Sequence, residues 1–229
     1  MKAEPPSSAP GMTRRQQRER TRRIILRAAI EVFAELGFEA ASMGGIARRA
    51  QVKKALVQYH FETKEKLWQA AMLRLWQQLE NAFPQYLDSV DSMAGARDPQ
   101  SVRHVFRQII RFVMDHPAWA GILFRESAQP GPRLDWLVEH CLRGSLQEGV
   151  RFVETAQEHG VLPPGEPLYL LHILSGALVY VQLVAPMTER ALGVSMASSE
   201  GIETLLDTFM GLLGPRSSPR PAGNSAPDD

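Results

Sequence analysis

No stretch of this chain alternates apolar and polar residues over the length of a strand, whereas apolar residues recur at three- and four-residue spacings along most of it. That periodicity belongs to helices that bury one face, and it predicts an all-α fold. The first helix is expected from Thr13 to Leu36, with Ile25, Ala28, Ala29, Val32, Phe33 and Leu36 on one face. Gly37 is a left-handed stop, after which Phe38 can fold back on the last turn. A second, short helix is capped by Ser42 and turns Met43, Ile46, Ala47 and Ala50 inward. Gly44 and Gly45 in its first turn weaken it by about 1 kcal/mol each relative to alanine. A break at Gln51–Val52 separates it from a third helix lying between Val52 and Phe61. Two short helices with a tight connection, after a longer one, make a helix-turn-helix.

Charge separates this segment from the rest. Residues 1–66 hold 14 Lys and Arg against 7 Asp and Glu, a surplus of seven positive charges. The remainder holds 12 against 18, a deficit of six. A basic N-terminal module on a mildly acidic body points to a polyanionic partner for the module. The arginine run "RRQQRERTRR" reads either as a solvated helix start or as a phosphate-binding arm. The single cysteine, Cys141, excludes an internal disulfide and favours a reducing compartment. Residues 1–12 and 215–229 are rich in Pro, Ser and Ala or Gly and are expected to be disordered tails. The opening residues carry no apolar run of the kind a signal peptide needs, and Met12 is an alternative start to Met1.

Six further helices follow. Thr63 caps a fourth, which continues to Phe83, where Pro84 ends or bends it. A fifth spans Pro99 to Asp115 with Asp98 as its cap. A sixth begins at Pro117, and a seventh spans Leu134 to His159 before Gly160. An eighth spans Leu168 to Val184, and a ninth Glu200 to Leu213, closed by Gly214–Pro215.

The segment "ILRAAIEVFAELGFEAASMGGIARRAQVKKALVQYHFETKEKLW", residues 25–68, resembles the TetR family of bacterial transcriptional regulators. The resemblance rests on an apolar helix ending Leu-Gly-Phe, on Ser42, on Ile46-Ala47 with Ala50 and Val52, on Tyr59-His60-Phe61, and on Thr63-Lys64-Glu65 with Leu67. It covers about a fifth of the chain. The order and number of the remaining helices agree with the family's nine-helix layout. The departures are Gln51 where the family usually has Gly, Lys53 where it has Ser or Thr, and Gln58 where it often has Tyr. The resemblance implies a three-helix DNA-binding domain over 13–62 and a helical effector-binding and dimerisation domain over 63–214. It also implies a cytoplasmic protein that binds double-stranded operator DNA.

A helix of about eight residues fits the major groove, about 12 Å wide, and presents its first turn to base edges. Lys54, Ala55, Leu56 and Gln58 lie at that leading face. Gln58 can bond adenine twice, Lys54 can reach guanine acceptors, and Ala55 or Leu56 can touch a thymine methyl. Lys53 adds charge beside them, and Tyr59 and His60 can donate to phosphates. By resemblance, Ser42 and Lys64 are phosphate contacts too. Val57 and Phe61 are core.

"LYLLHILSGALVYVQLVA", 168–185, is apolar almost all round and sits at the lower length limit for a membrane span. His172, Ser175 and Gln182 interrupt it, and the resemblance assigns it with the ninth helix to a homodimer interface rather than a membrane. Leu171, Leu174, Leu178, Val181, Leu205, Phe209 and Leu212 are the candidate interface residues. Between the fourth and seventh helices the resemblance implies a pocket for a small hydrophobic effector. Trp76, Phe106, Ile110, Met114, Trp119, Phe124, Trp136, His140 and Cys141 are available to line it, although ordinary core is the simpler reading of most of them.

No enzyme is indicated. His140 and Cys141 are adjacent and diverge by about 100° on a helix, unlike a catalytic pair. The six histidines show no metal-ligand spacing, and no phosphate-cradling glycine loop appears. Neither metal nor cofactor is expected. The alternative function is a helical DNA-binding architectural or interaction protein without an effector.

Overall fold

The computed structural model describes residues 13–82 and 99–213, and the described chain is helical, without strands. Thr13 opens α1 (Arg14–Ala40) with a reciprocal cap: its hydroxyl accepts from the Gln16 amide, and the Gln16 side chain accepts from the Thr13 amide. The arginine-rich start is therefore a capped, regular helix. Gly37, at φ +74°, breaks α1 where a stop is expected, but the chain keeps turning to Ala40 before it straightens. The break folds the Phe38 ring onto Phe33, with centroids 6.1 Å apart, and edge-on to Trp68 at 6.2 Å.

Then come α2 (Met43–Arg49), α3 (Lys54–Phe61) and α4 (Lys64–Ala82). The Thr63 hydroxyl accepts from the Lys66 amide and so caps α4 as expected. α5 (Pro99–Asp115) and α6 (Pro117–Ser127) each begin on a proline, whose missing N–H costs nothing there. α7 is one run in three parts: Pro132–Leu137, a π-helical turn at Val138–Leu142, and Arg143–Glu158. α8 (Pro167–Leu192) and α9 (Ser199–Leu213) complete nine helices among the described residues. Phe83, Pro84, Asp98, the Gly214–Pro215 stop and both expected tails lie outside the described residues.

α8 runs eight residues past the expected end at Val184. Pro186 lies within it, and the helix continues to a left-handed cap at Gly193, φ +69°. Gly201, in the first turn of α9, is required by crowding: a Cβ there would stand 2.4 Å from the Ser195 carbonyl oxygen.

The chain divides into two compact units, and the division does not follow a simple cut after residue 62. The described part of the first comprises 13–82 and 116–149. Its core holds Ile25, Phe33, Ile46, Val57, Leu67, Trp68, Met72 and Leu137, all nearly inaccessible to water. α1 packs chiefly on α4 and α6, which is why the latter joins the N-terminal helices.

The described part of the second unit comprises 99–115 and 150–213, where α5 packs on α8 and α9. Phe106 meets Phe209 at 5.3 Å. Arg103 and Arg107 of α5 pair with Glu203, and Arg103 also with Asp207. This packing corrects two interface expectations. Leu178 and Phe209 are buried within the chain itself, turned toward its own core, and cannot meet a partner. Leu171, Leu174, Val181 and Leu205 are half-buried, and Leu212 is exposed. The uncovered row on α8 is instead Tyr169, Ile173, Tyr180 and Met187, each more than 60% exposed. Their spacings of four, seven and seven residues place them on one face.

Candidate nucleic-acid interface

The local sequence builds the site in three steps. First, Ser42 caps α2: its hydroxyl oxygen accepts from the Gly45 amide at 3.0 Å. Gly44 and Gly45 leave room around it. A Cβ on Gly45 would stand 3.3 Å from Ser42 Oγ, and one on Gly44 would meet Arg48 Nη1 at 3.9 Å and Lys54 Cδ at 4.0 Å. Gly45 thus leaves Ser42 Oγ room, and Arg48 and Lys54 lie within contact distance of the Gly44 position. Arg48, read from the sequence as lying on the outer side of this helix with Arg49, is not among the candidate DNA-binding residues named there. The glycine pair beside Ser42 was the signal that could have found it.

Second, the turn. Gln51 holds φ +55°, a conformation that costs a non-glycine residue about 1–2 kcal/mol. Amides of Gln51 and Val52 donate to the Arg48 and Ala47 carbonyls, which fixes the turn. Third, α3 begins at Lys54, two residues later than the earliest expected start, because Val52 and Lys53 are spent on the turn. Lys53 stands at its cap position with an extended backbone and no side-chain cap bond, as its replacement of a hydroxyl residue implies.

α3 buries only Val57 and Phe61. Lys53, Lys54, Ala55, Leu56, Gln58 and Tyr59 are exposed, and His60 is half-buried. The start of α1 reaches this helix. The Arg18 guanidinium lies 5.8 Å from the Tyr59 ring centroid, and that of Arg22 5.5 Å from Phe61. His60 stands edge-on to Tyr59 at 5.4 Å. Its pKa is pushed below the ordinary 6.5 by burial first, then by the charges of Arg18 and Arg22, with Glu19 opposing. The imidazole is thereby held neutral, with one N–H left to donate.

The structure corrects the expectation for Lys64. Its ammonium donates to the carbonyls of Phe38, Glu39 and Ala41 at 2.9, 3.4 and 3.2 Å, and lies 4.3 Å from the Phe38 ring centroid. An ammonium has three donors, and here all three close the end of α1. Lys64 joins α1 to α4 and offers no donor to a phosphate. Arg49 is likewise committed, to Glu35 at 2.7 and 2.9 Å and to Glu31 at 3.3 Å.

The residues expected around an effector fall in both units. In the first, Trp76 of α4 is buried. Trp136 stands edge-on to Trp68 at 5.5 Å, and His140 stacks on Trp136 at 4.4 Å, its Nδ1 2.9 Å from the Trp136 carbonyl. Cys141, in the π-helical turn, is buried, and burial first, then Glu80, pushes its thiol up to about 12. It is a packed thiol, not a nucleophile. Trp119 is half-buried. Phe124 is corrected: it is 65% exposed and lines no interior within its unit. Phe106 and Ile110, both buried, and Met114, half-buried, belong to the second unit. A hollow of about 460 Å³ lies elsewhere, on α1, lined by Gln17, Arg20, Thr21 and Ile24.

A hydroxyl-capped short helix, a tight turn and a second short helix exposed along one side form a helix-turn-helix. Residues 25–71 match the family profile described as bacterial regulatory proteins, tetR family. That match covers about a fifth of the chain, and over it the chain is similar to that family. It is 28% identical over 181 residues to the A-factor receptor protein of Streptomyces griseus, across 76% of this chain and 58% of that one. It is 29% identical over 122 residues to the HTH-type transcriptional repressor NicS of Pseudomonas putida, across 52% and 53%. The chain thus spans between half and three-fifths of the length of these two relatives. In fold it is similar to HlyIIR, a hemolysin II transcriptional regulator, with a TM-score of 0.59 at 19% identity, across 86% of this chain and 98% of that one.

Proposed function

We propose that the chain is a ligand-responsive transcriptional repressor, acting in the cytoplasm, that binds a palindromic operator as a homodimer and is released by a small apolar effector. The observation that carries this reading is the division of α3: two residues hold it to the core, while Lys54, Ala55, Leu56, Gln58 and Tyr59 are exposed. Lys54, Ala55, Leu56 and Gln58 read base edges. Ser42, Lys53, Tyr59, His60 and Arg48 bear on phosphates, positioning the module without specifying sequence. The reader comprises residues 13–62 and the remainder to 214 serves effector and dimer.

The second copy is called for by α8. Its apolar row, Tyr169, Ile173, Tyr180 and Met187, is uncovered, and α8 is long and apolar enough to cross a membrane by length and composition. A two-fold partner covers such a row and sets two reading helices at a fixed spacing. Leu171, Leu174, Val181, Leu205 and Leu212 contribute at the margins.

The effector wall within the first unit is Trp76, Trp136 and Cys141, where aromatic rings and a π-helical turn meet on α4, with the exposed His140 stacked at its outer edge. Such turns recur at functional sites. A relative named as a receptor supports a small-molecule input. An effector releases DNA only if it binds the non-reading state more tightly.

Selection of duplexes from a random pool tests the function. The expected product is a palindrome with half-sites about 34–36 Å apart or a multiple of it. Equal binding to selected and scrambled duplexes at fixed salt would identify a non-specific architectural protein instead.

A further inference from the structure

The end of α1 gathers more charged contacts than holding a helix end requires. From α6, Arg125 Nη2 donates to the Glu35 carbonyl at 3.0 Å, and its guanidinium lies over Gly37, 3.7 Å from where a Cβ would stand. From α7, Arg133 donates to Glu126 at 3.2 Å and to Glu39 at 3.0 Å, with its guanidinium 4.4 Å from the Phe38 ring centroid. From α2, Arg49 grips the carboxylate of the same Glu35 with both terminal nitrogens.

We propose that Glu35 is a positioning residue that joins α6 to the reading module: it takes Arg125 at its carbonyl and Arg49 at its carboxylate, so a shift of α6 re-sets α2. The proposal rests on the reading of α2 and α3 as the DNA reader, and it gives that reader an input from α6.

The two ends of the connection differ in stiffness, and that difference suits a switch. Glu126 is buried with its side chain 7% exposed, so breaking its pair with Arg133 strands a charge away from water. The starts of α7 and the end of α6 therefore move together. The Arg49–Glu35 pair has side chains 41% and 53% exposed. Water screens it, and pairs of this kind are weak. A firm link thus feeds a soft one, and the soft one lies on α2. Gly37 completes the device. Its positive φ strains any other residue there, and the Arg125 guanidinium lies within ordinary contact distance above it.

Hydrogen exchange of the full-length chain, without DNA or effector, tests this. Arg125→Gln is expected to speed exchange of the α2 amides at least about fivefold while 150–158 stays unchanged. Coupling is reciprocal, so Arg49→Gln is expected to speed exchange in 117–127. The two effects combined in one chain are expected to fall short of their product. Arg125→Lys, which keeps the charge but loses the fork, carries the same test should the glutamine variant fail to fold. Acceleration confined to 35–41, acceleration of every helix alike, or a double variant equal to the product overturns the proposal. Titration with selected DNA reads the function separately. A native chain that binds no DNA sinks the repressor reading and leaves the exchange coupling measurable.

Discussion

α3 and α8 each leave at least half of their residues exposed, and they differ in what they uncover. α3 shows water two lysines at its start, then Gln58 and Tyr59. α8 shows water Tyr169, Ile173, Tyr180 and Met187. The first surface is comfortable when solvated, because lysine and glutamine lose nothing in water. The second is not, since burying a large apolar side chain is worth about 1.5–3 kcal/mol. A polar row can wait for a reversible partner and be released by salt or by an effector. An apolar row of this length calls for a standing partner. On the proposed reading, α3 suits an intermittent contact with DNA and α8 a lasting contact with a second copy.

The largest effect expected is on α8. Ile173→Glu combined with Tyr180→Glu puts two charges into the apolar row and should yield a folded monomer, read by sedimentation. Operator affinity should fall with it, because one half-site no longer tethers the other. A dimer that survives both charges breaks the comparison on its apolar side. Next comes Gln58→Ala, which should cost about 1–3 kcal/mol for the selected duplex and almost nothing for scrambled DNA. Equal losses on both would make Gln58 a backbone contact.

Lys54→Ala should weaken binding to both duplexes and lower the salt slope by about 0.9 if the ammonium meets a phosphate, or cost specificity alone if it meets guanine. A titration against salt separates the two. Gln51→Gly should stabilise the chain by about 1 kcal/mol, the relief of its positive φ less the flexibility gained when unfolded. Thermal unfolding reads it, and a lower midpoint would show that Gln51 holds the turn in some other way.

The smallest effect is one of pH. His60 has its folded pKa below the unfolded value of 6.5. The unfolded chain therefore binds the proton more readily, and stability falls as pH drops through about 6.5. It is fully present above that pH. The native chain should lose stability relative to His60→Gln across this window, and parallel curves would mean that the imidazole is not held neutral.

Much of the reader was legible in the sequence because its signals are local. Ser42 and Thr63 cap helices by reaching three residues along the chain. Val57 and Phe61 are one turn apart and share the buried face of α3. Lys64 was not legible, because its three acceptors lie at least 23 residues away, on carbonyls that only the break at Gly37 turns toward it. The same holds for Leu178 and Phe209. Both are apolar on helices with a broad apolar surface, and nothing local says which side meets the chain's own α5. Phe124 is the reverse case, an aromatic residue that the fold leaves on the outside. The extension of α8 past Pro186 was also hidden. A proline in a helical pattern reads as a stop, and here the stop is Gly193.

By itself the sequence determined the helices, their caps, the reading motif and the charge contrast, since each depends on residues within a turn or two of one another. Tertiary structure alone decided which face of α8 is left uncovered, what Lys64 and Arg49 bind, and how Glu35 comes to be held from two sides. Those outcomes depend on which distant surfaces pack together, and side-chain spacing along one helix carries no information about the helix it will meet.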